Sequence, residues 1–242
     1  MRMDPHQRKD VELGMVVHHY IHTIEPVSSA FIAEEYEQDV SPATIRNILA
    51  ELESDGFLSH PHTSAGRVPT QRGYRYYVDF LMKEIRLLEE ERLRIQKEYE
   101  AGIEEFGELL EKTTEIVSDL THCASIVTLD GMPRAYLCRG TNYLAEQVGG
   151  DNIRKMAEIL RALEAKERVI ELIRRDIDRK TKIYIGQETA CDEFEDCAVA
   201  VSRFETRNGP SGRIAVLGPT RMDYQRVVSA LEYVSQVLRE MM

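Results

Sequence analysis

The chain has 242 residues, with 31 Lys and Arg against 42 Asp and Glu, for a net charge of −11. An apolar content of 43% with 30% charged residues suits a folded chain of one large or two ordinary domains. No apolar run approaches the roughly 18 residues of a membrane helix. No apolar core follows the charges of MRMDPHQRKDVELG as a secretory signal requires, so a cytoplasmic, nucleoid-associated place is expected. Such an acidic chain repels nucleic acid in general, and any contact with it must be a local patch.

Between Gln7 and Glu25 the apolar Val11, Met15, Val16, Tyr20 and Ile21 recur at helical spacing. Glu25-Pro26 stops that helix, because the residue before a proline avoids the α region. A short second helix is expected across VSSAFIAEEYE. A third starts at Ser41 as N-cap with Pro42 in its first position, buries Ile45, Ile48, Leu49 and Leu52, and ends at Gly56. Phe57 and Leu58 open a strand, TSAGRVPT supplies a turn, and RYYVDFLM begins another helix. Three short helices and a β-hairpin predict a winged helix-turn-helix over residues 1–82.

From Leu81 to Leu120 apolar residues step in a 3–4 alternation, with Arg92 and Thr113 filling two slots. Gly102 and Gly107 weaken the pattern, each by about 1 kcal/mol against Ala. This predicts a long connecting helix over 83–120, open to a break at those glycines. Leu81, Ile85, Leu88, Ile95 and Tyr99 would dimerise it or pack it on the chain's own second domain.

Residues 121–242 alternate strand-like ASIVTL, RAYLCR, KIYIG, CAVAVSRF and RIAVLG with helices. One long amphipathic helix is expected over DNIRKMAEILRALEAKERVIELIRRDI. Thr220 and Asp223 open a last helix with the spacing of a capping box. The fold class is therefore α+β.

The least typical stretch is HPHTSAGRVPTQRGYRYYVD, because no Asp or Glu occurs from Gly56 to Val78 while Arg67, Arg72 and Arg75 do. Beside it, the third helix turns Ala43, Thr44, Arg46, Asn47 and Ala50 outward. In helix-turn-helix proteins those N-terminal positions touch base edges in the major groove. Arg46 suits guanine and Asn47 suits adenine, while Ala43 and the Thr44 methyl suit a thymine methyl. Ser41 caps that helix start. His62, Thr63, Ser64 and Arg67 suit phosphate oxygens or a minor groove. A blander alternative is an Arg46 ion pair with Glu51 or Glu53 beside a merely solvated turn. At least one of Tyr74, Tyr76 and Tyr77 is expected to pack the wing onto the helices.

The runs SPATIRN, PHTSAGR and GYRYYVD are long and specific, and they resemble the N-terminal domain of the heat-inducible transcription repressor family HrcA. KIYIGQE, RIAVLGPTRMDYQRVVSALEYVSQVL and RGTNYLAEQ resemble parts of that family's GAF-like domain. The likeness covers residues 11–82 and about 140–242. It implies a homodimeric repressor of chaperone operons, bound to the inverted repeat called CIRCE and kept active by the chaperonin GroEL. Only DGMP stands between Leu129 and Arg134, where the family holds further strands and an inserted dimerisation domain. The resemblance thus implies a truncated GAF-like domain over 121–242, with dimerisation left to that domain and the connecting helix.

Rival readings are a metal- or small-molecule-responsive repressor and an enzyme. His18 and His22 lie four apart on one helical face with His19 and Glu25 near, but zinc needs three or four ligands. Cys123, Cys138, Cys191 and Cys197 form no CxxC pair and suit reduced thiols. Cys138, Cys191 and Cys197 would each need a base or cation to become nucleophiles, and His122 is the only histidine of that half. LGPTRMDY, with Arg221, reads as a strand-turn-helix cap before an anion site. No cofactor, metal or catalysis is expected.

Overall fold

The computed structural model describes residues 4–36, 40–62, 66–100, 106–149, 153–175, 180–206 and 210–241. They form two compact units, Met1–Lys83 and Glu84–Met242, and the expected connector belongs to the second.

The first unit begins with α1 (Pro5–Thr23), which buries Leu13, Val16 and Val17. The short α2 (Ser29–Glu35) is capped by Ser28, whose hydroxyl accepts the Phe31 N–H. Helix α3 (Pro42–Ser54) buries Ile45, Leu49 and Leu52 and leaves Ile48 half-buried. It ends with the Phe57 N–H donating to Leu52 O and the Gly56 N–H to Glu53 O, both at 2.9 Å. This closure places Gly56 at φ +80°, where a side chain would be strained.

The chain then enters β1 (Leu58–Ser59), which pairs antiparallel with β2 (Val68–Pro69). Val27 adds a rung beside them, exchanging N–H···O bonds of 2.8 and 2.9 Å with Arg67. A Cβ on Gly66 would come within 2.4 Å of the Val27 backbone, so glycine permits that approach. Thr70 closes the hairpin base by donating to Gly56 O at 2.7 Å, and it caps α4 (Gln71–Tyr76) by accepting the Gly73 N–H. A π-helical turn, Tyr77–Leu81, follows. Tyr74 and Tyr77 are buried, while Tyr76 packs against Phe57 and donates its hydroxyl to Asp10 at 2.9 Å. This unit is a winged helix-turn-helix.

In the second unit the connector expected over 83–120, left open to a break at Gly102 and Gly107, is two helices packed within this unit. Residues 82–88 are irregular, and two helices follow, α5 (Glu89–Glu100) and α6 (Phe106–Thr121). They fold back on each other: Tyr99 bonds the Thr113 hydroxyl at 2.9 Å, and Lys112 pairs with Glu98 at 2.9 Å. Ile95 and Tyr99 are 1% and 2% exposed, so they are core of this chain and not dimer contacts. Ile85 and Leu88 stay exposed at 43% and 68%, and Leu81 is half-buried in the first unit.

Next come β3 (Ala124–Leu129), β4 (Met132–Arg139), α7 (Thr141–Leu144), α8 (Ile153–Ala165), α9 (Glu167–Ile173), β5 (Thr181–Ile185), β6 (Cys197–Glu205), β7 (Ser211–Pro219) and α10 (Tyr224–Met241). The strands form an antiparallel sheet in the order β4-β3-β7-β6-β5. Alternate residues Ala124, Ile126, Val199, Val201, Ala215 and Leu217 meet Met156, Ile159 and Leu163 of α8 and Val169 and Leu172 of α9. Residues of opposite parity face α10, where Ser202 bonds Ser235 at 3.1 Å. All six residues of β3 are buried, as a strand covered on both faces requires. Arg226 ties three helices together by donating to Leu120 O and Glu91 at 2.6 Å each. The single helix expected over 151–177 breaks at Lys166, whose backbone adopts φ 61°, ψ −40°.

Two outcomes follow from this packing. Ile24 ends α1 at φ 63° although its side chain is β-branched and half exposed. Ile24→Asn, which tolerates this region, should raise stability by about 1 kcal/mol in thermal unfolding. Tyr99→Ala should destabilise the second unit by about 3–5 kcal/mol at any protein concentration, whereas a dimer contact would give a concentration-dependent loss.

Candidate nucleic-acid interface

Helix α3 is built to present its first two turns. Ser41, in an extended conformation before Pro42, accepts the Thr44 N–H on its hydroxyl at 3.2 Å and lies 2.9 Å from the Thr44 hydroxyl. The cap fixes where the helix starts and which face it turns outward. Ala43, Thr44, Arg46 and Asn47 are all exposed there, opposite buried Ile45 and Leu49. Among the described residues Arg46 has no carboxylate partner, so the expected alternative pairing with Glu51 or Glu53 is absent.

Those acids are engaged elsewhere. Lys9 of α1 pairs with Glu51 at 2.9 Å and with Asp55 at 3.2 Å. These two carboxylates hold the Lys9 ammonium above its ordinary pKa. Glu53 pairs with Arg67 at 3.0 Å, and its other oxygen bonds His60 Nδ1. The negative charge of α3 lies in its C-terminal half and is neutralised there, while its N-terminal half carries Arg46 and no acid.

The wing corrects one expectation. Arg67 does not project as a phosphate clamp. Its guanidinium turns in to Glu53 with the side chain only 16% exposed, because its backbone is locked to Val27. His62 is exposed, and Thr63 and Ser64 lie outside the described residues. Of the other two arginines, Arg72 lies over the Phe57 ring at 4.7 Å and Arg75 pairs with Asp79 at 3.1 Å. Sequence reasoning missed Lys9 and His60 and offered Glu53 only as a partner of Arg46. No local spacing could reveal Lys9, which lies 42 and 46 positions from its partners.

Neither rival site assembles among the described residues. His18 and His22 meet edge to face at 4.6 Å, His19 lies against Phe31, and no group of three His, Cys, Asp or Glu is disposed around a metal. Burial pushes the Cys123 and Cys197 thiols up to about 12 and Cys138 up to about 11, so they stay protonated at neutral pH. Arg221 donates to Gln147 O; the Thr220–Asp223 capping box expected before α10 does not form, because the helix starts at Tyr224 and Asp223 is itself the cap, accepting the Arg226 N–H. No helix of the described residues is long and apolar enough to cross a membrane.

Comparison with known proteins agrees with this arrangement. The family profile for the HrcA protein C terminal domain matches residues 129–228. A heat-inducible transcription repressor HrcA from Carboxydothermus hydrogenoformans is 29% identical along 332 aligned positions that span 97% of each chain. The chain is similar to HrcA-family repressors over nearly its whole length. Another HrcA repressor, from Pelotomaculum thermopropionicum, is 50% identical over 127 residues, which are 52% of this chain and 36% of that one. The 332 positions aligned with the Carboxydothermus repressor exceed the 242 residues of this chain, so stretches of that relative have no counterpart here. A crystal structure of a hypothetical protein at 2.2 Å resolution shares the fold, with a TM-score of 0.74 and 19% identity over 96% of this chain and 97% of that one.

The cap at Ser41 can be checked directly. Ser41→Ala should cost roughly 1 kcal/mol in denaturant unfolding of the winged helix. An unchanged midpoint would remove the cap's role in setting the outward face of α3.

Proposed function

We propose that this chain is a sequence-specific DNA-binding repressor of heat-shock and chaperone genes, acting on a CIRCE-like inverted repeat. The observation that carries the reading is the acid-free, capped start of α3, with Arg46 and Asn47 exposed and Arg46 without a carboxylate partner among the described residues. Arg46, Asn47, Ala43 and Thr44 read base edges, and His62, Thr63 and Ser64 lie along the backbone. Arg67 acts from behind, through Glu53. The exposed Ile85 and Leu88 and the half-buried Leu81 remain candidates for contact with a second copy.

A homodimer would set two recognition helices about 34 Å apart, or a multiple of it, matching the two halves of an inverted repeat. Repression follows by occlusion of a promoter, in the cytoplasm at the nucleoid. The family likeness adds GroEL as the partner that keeps the repressor active. Neither a cofactor nor catalysis enters this scheme.

The test is a footprint of the purified protein on its own upstream region and on chaperone promoters, where protection of an inverted repeat is expected. Arg46→Ala should then lower the preference for that repeat over a scrambled duplex by about 1–3 kcal/mol. It should leave unfolding unchanged, because the side chain supports nothing in the fold. Equal loss on both duplexes would overturn the base-reading role.

A further inference from the structure

We propose that Glu53 is the positioning residue that aims the wing at DNA, an inference that rests on the DNA-binding reading above. Glu53 sits in the last turn of α3, the helix that carries the base-reading residues. One carboxylate oxygen takes the Arg67 guanidinium at 3.0 Å, just before β2, and the other takes His60 Nδ1, just after β1. A single side chain thus holds both arms of the hairpin against the recognition helix.

Other attachments hold the hairpin's base: the Phe57 N–H bonds Leu52 O of α3, and Leu58 of β1 is buried. Arg67 is bonded through its backbone to Val27, before α2. Thr70 bonds the Gly56 and Phe57 carbonyls at the hairpin's base. Strands of two residues each have little stiffness of their own. Buried Leu58 seats β1 beside α3, and beyond that base Glu53 is the side chain that ties both arms to the helix. His62, two residues beyond the tethered His60, is the exposed wing residue whose placement this governs.

The alternative is a purely electrostatic role, and it has the opposite sign for one partner. Near a polyanion, losing a carboxylate tightens binding and losing a guanidinium weakens it. A tether predicts that losing either partner weakens binding, and that losing both is no worse than losing one.

The experiment compares the full-length wild type, Glu53→Gln, Arg67→Gln, the double variant and Arg67→Lys. Each is titrated with a CIRCE duplex and a scrambled duplex across a salt series, after thermal unfolding has confirmed the fold. Both Gln variants should bind the two duplexes on the order of tenfold more weakly, with the slope of log K against log salt reduced by about one and the preference between duplexes retained. The double variant should match either single one. Arg67→Lys, which keeps a cation within reach of Glu53, should recover most of the loss. Tighter or unchanged binding by Glu53→Gln, additive losses, or no recovery by Arg67→Lys overturns the tether. Should Glu53→Gln fail to fold, Glu53→Asp replaces it: the charge stays and the reach shortens, so the tether predicts weaker binding and electrostatics alone predicts no change. A wild type that binds neither duplex sinks the DNA-binding reading itself, a result distinct from failure of the tether.

Discussion

A protein this acidic can approach a polyanion only if its charges are sorted over short distances, and α3 does that sorting along one helix. The carboxylates of its C-terminal end, Asp55 of the cap included, are each met by a cation from another element: Lys9 takes Glu51 and Asp55, and Arg67 takes Glu53, which also bonds His60. The half-exposed pairs of Lys9 add little to stability. Their effect here is on the surface potential, because they cancel the field of the acids within a few ångströms and leave the N-terminal turns to Arg46. The winged helix supplies the scaffold, and the pairing pattern makes one end of it compatible with DNA.

The wing depends on equally local devices. Gly56 turns the chain out of α3, Gly66 admits the Val27 backbone, and Thr70 both shuts the hairpin and starts α4. Arg67 and Arg72, two of the three arginines in the acid-free stretch, are spent on this assembly, one on a carboxylate and one over an aromatic ring. Absence of acid in the stretch therefore serves the wing's own packing as well as its surroundings. That is why a phosphate role for Arg67 could not be read from composition.

The sequence was most legible where a signal is chemical and short. Ser41-Pro42 marked the start of α3, and strand-like apolar runs marked the segments that became β3, β4, β5, β6 and β7. It was less legible where the answer depended on what covers an apolar face. The 81–120 alternation is real, but Ile95 and Tyr99 are buried by α5 folding back along α6 within the same chain. A periodic stripe has the same form whether its partner is a second molecule or the next helix. The break at Lys166 was hidden because neither glycine nor proline marks it, and the packing of α8 and α9 holds the strained backbone.

The link between β3 and β4 has a consequence for how such a chain can change length. Two residues, Asp130 and Gly131, join the strands, and Asp130 is pinned to Ser211 at 2.9 Å and to Arg213 of the neighbouring β7. The ladder between β3 and β7 runs unbroken to Leu129 whatever lies past the turn. Material could be spliced in or out at this seam without unzipping a central strand, so relatives of quite different size can keep one sheet.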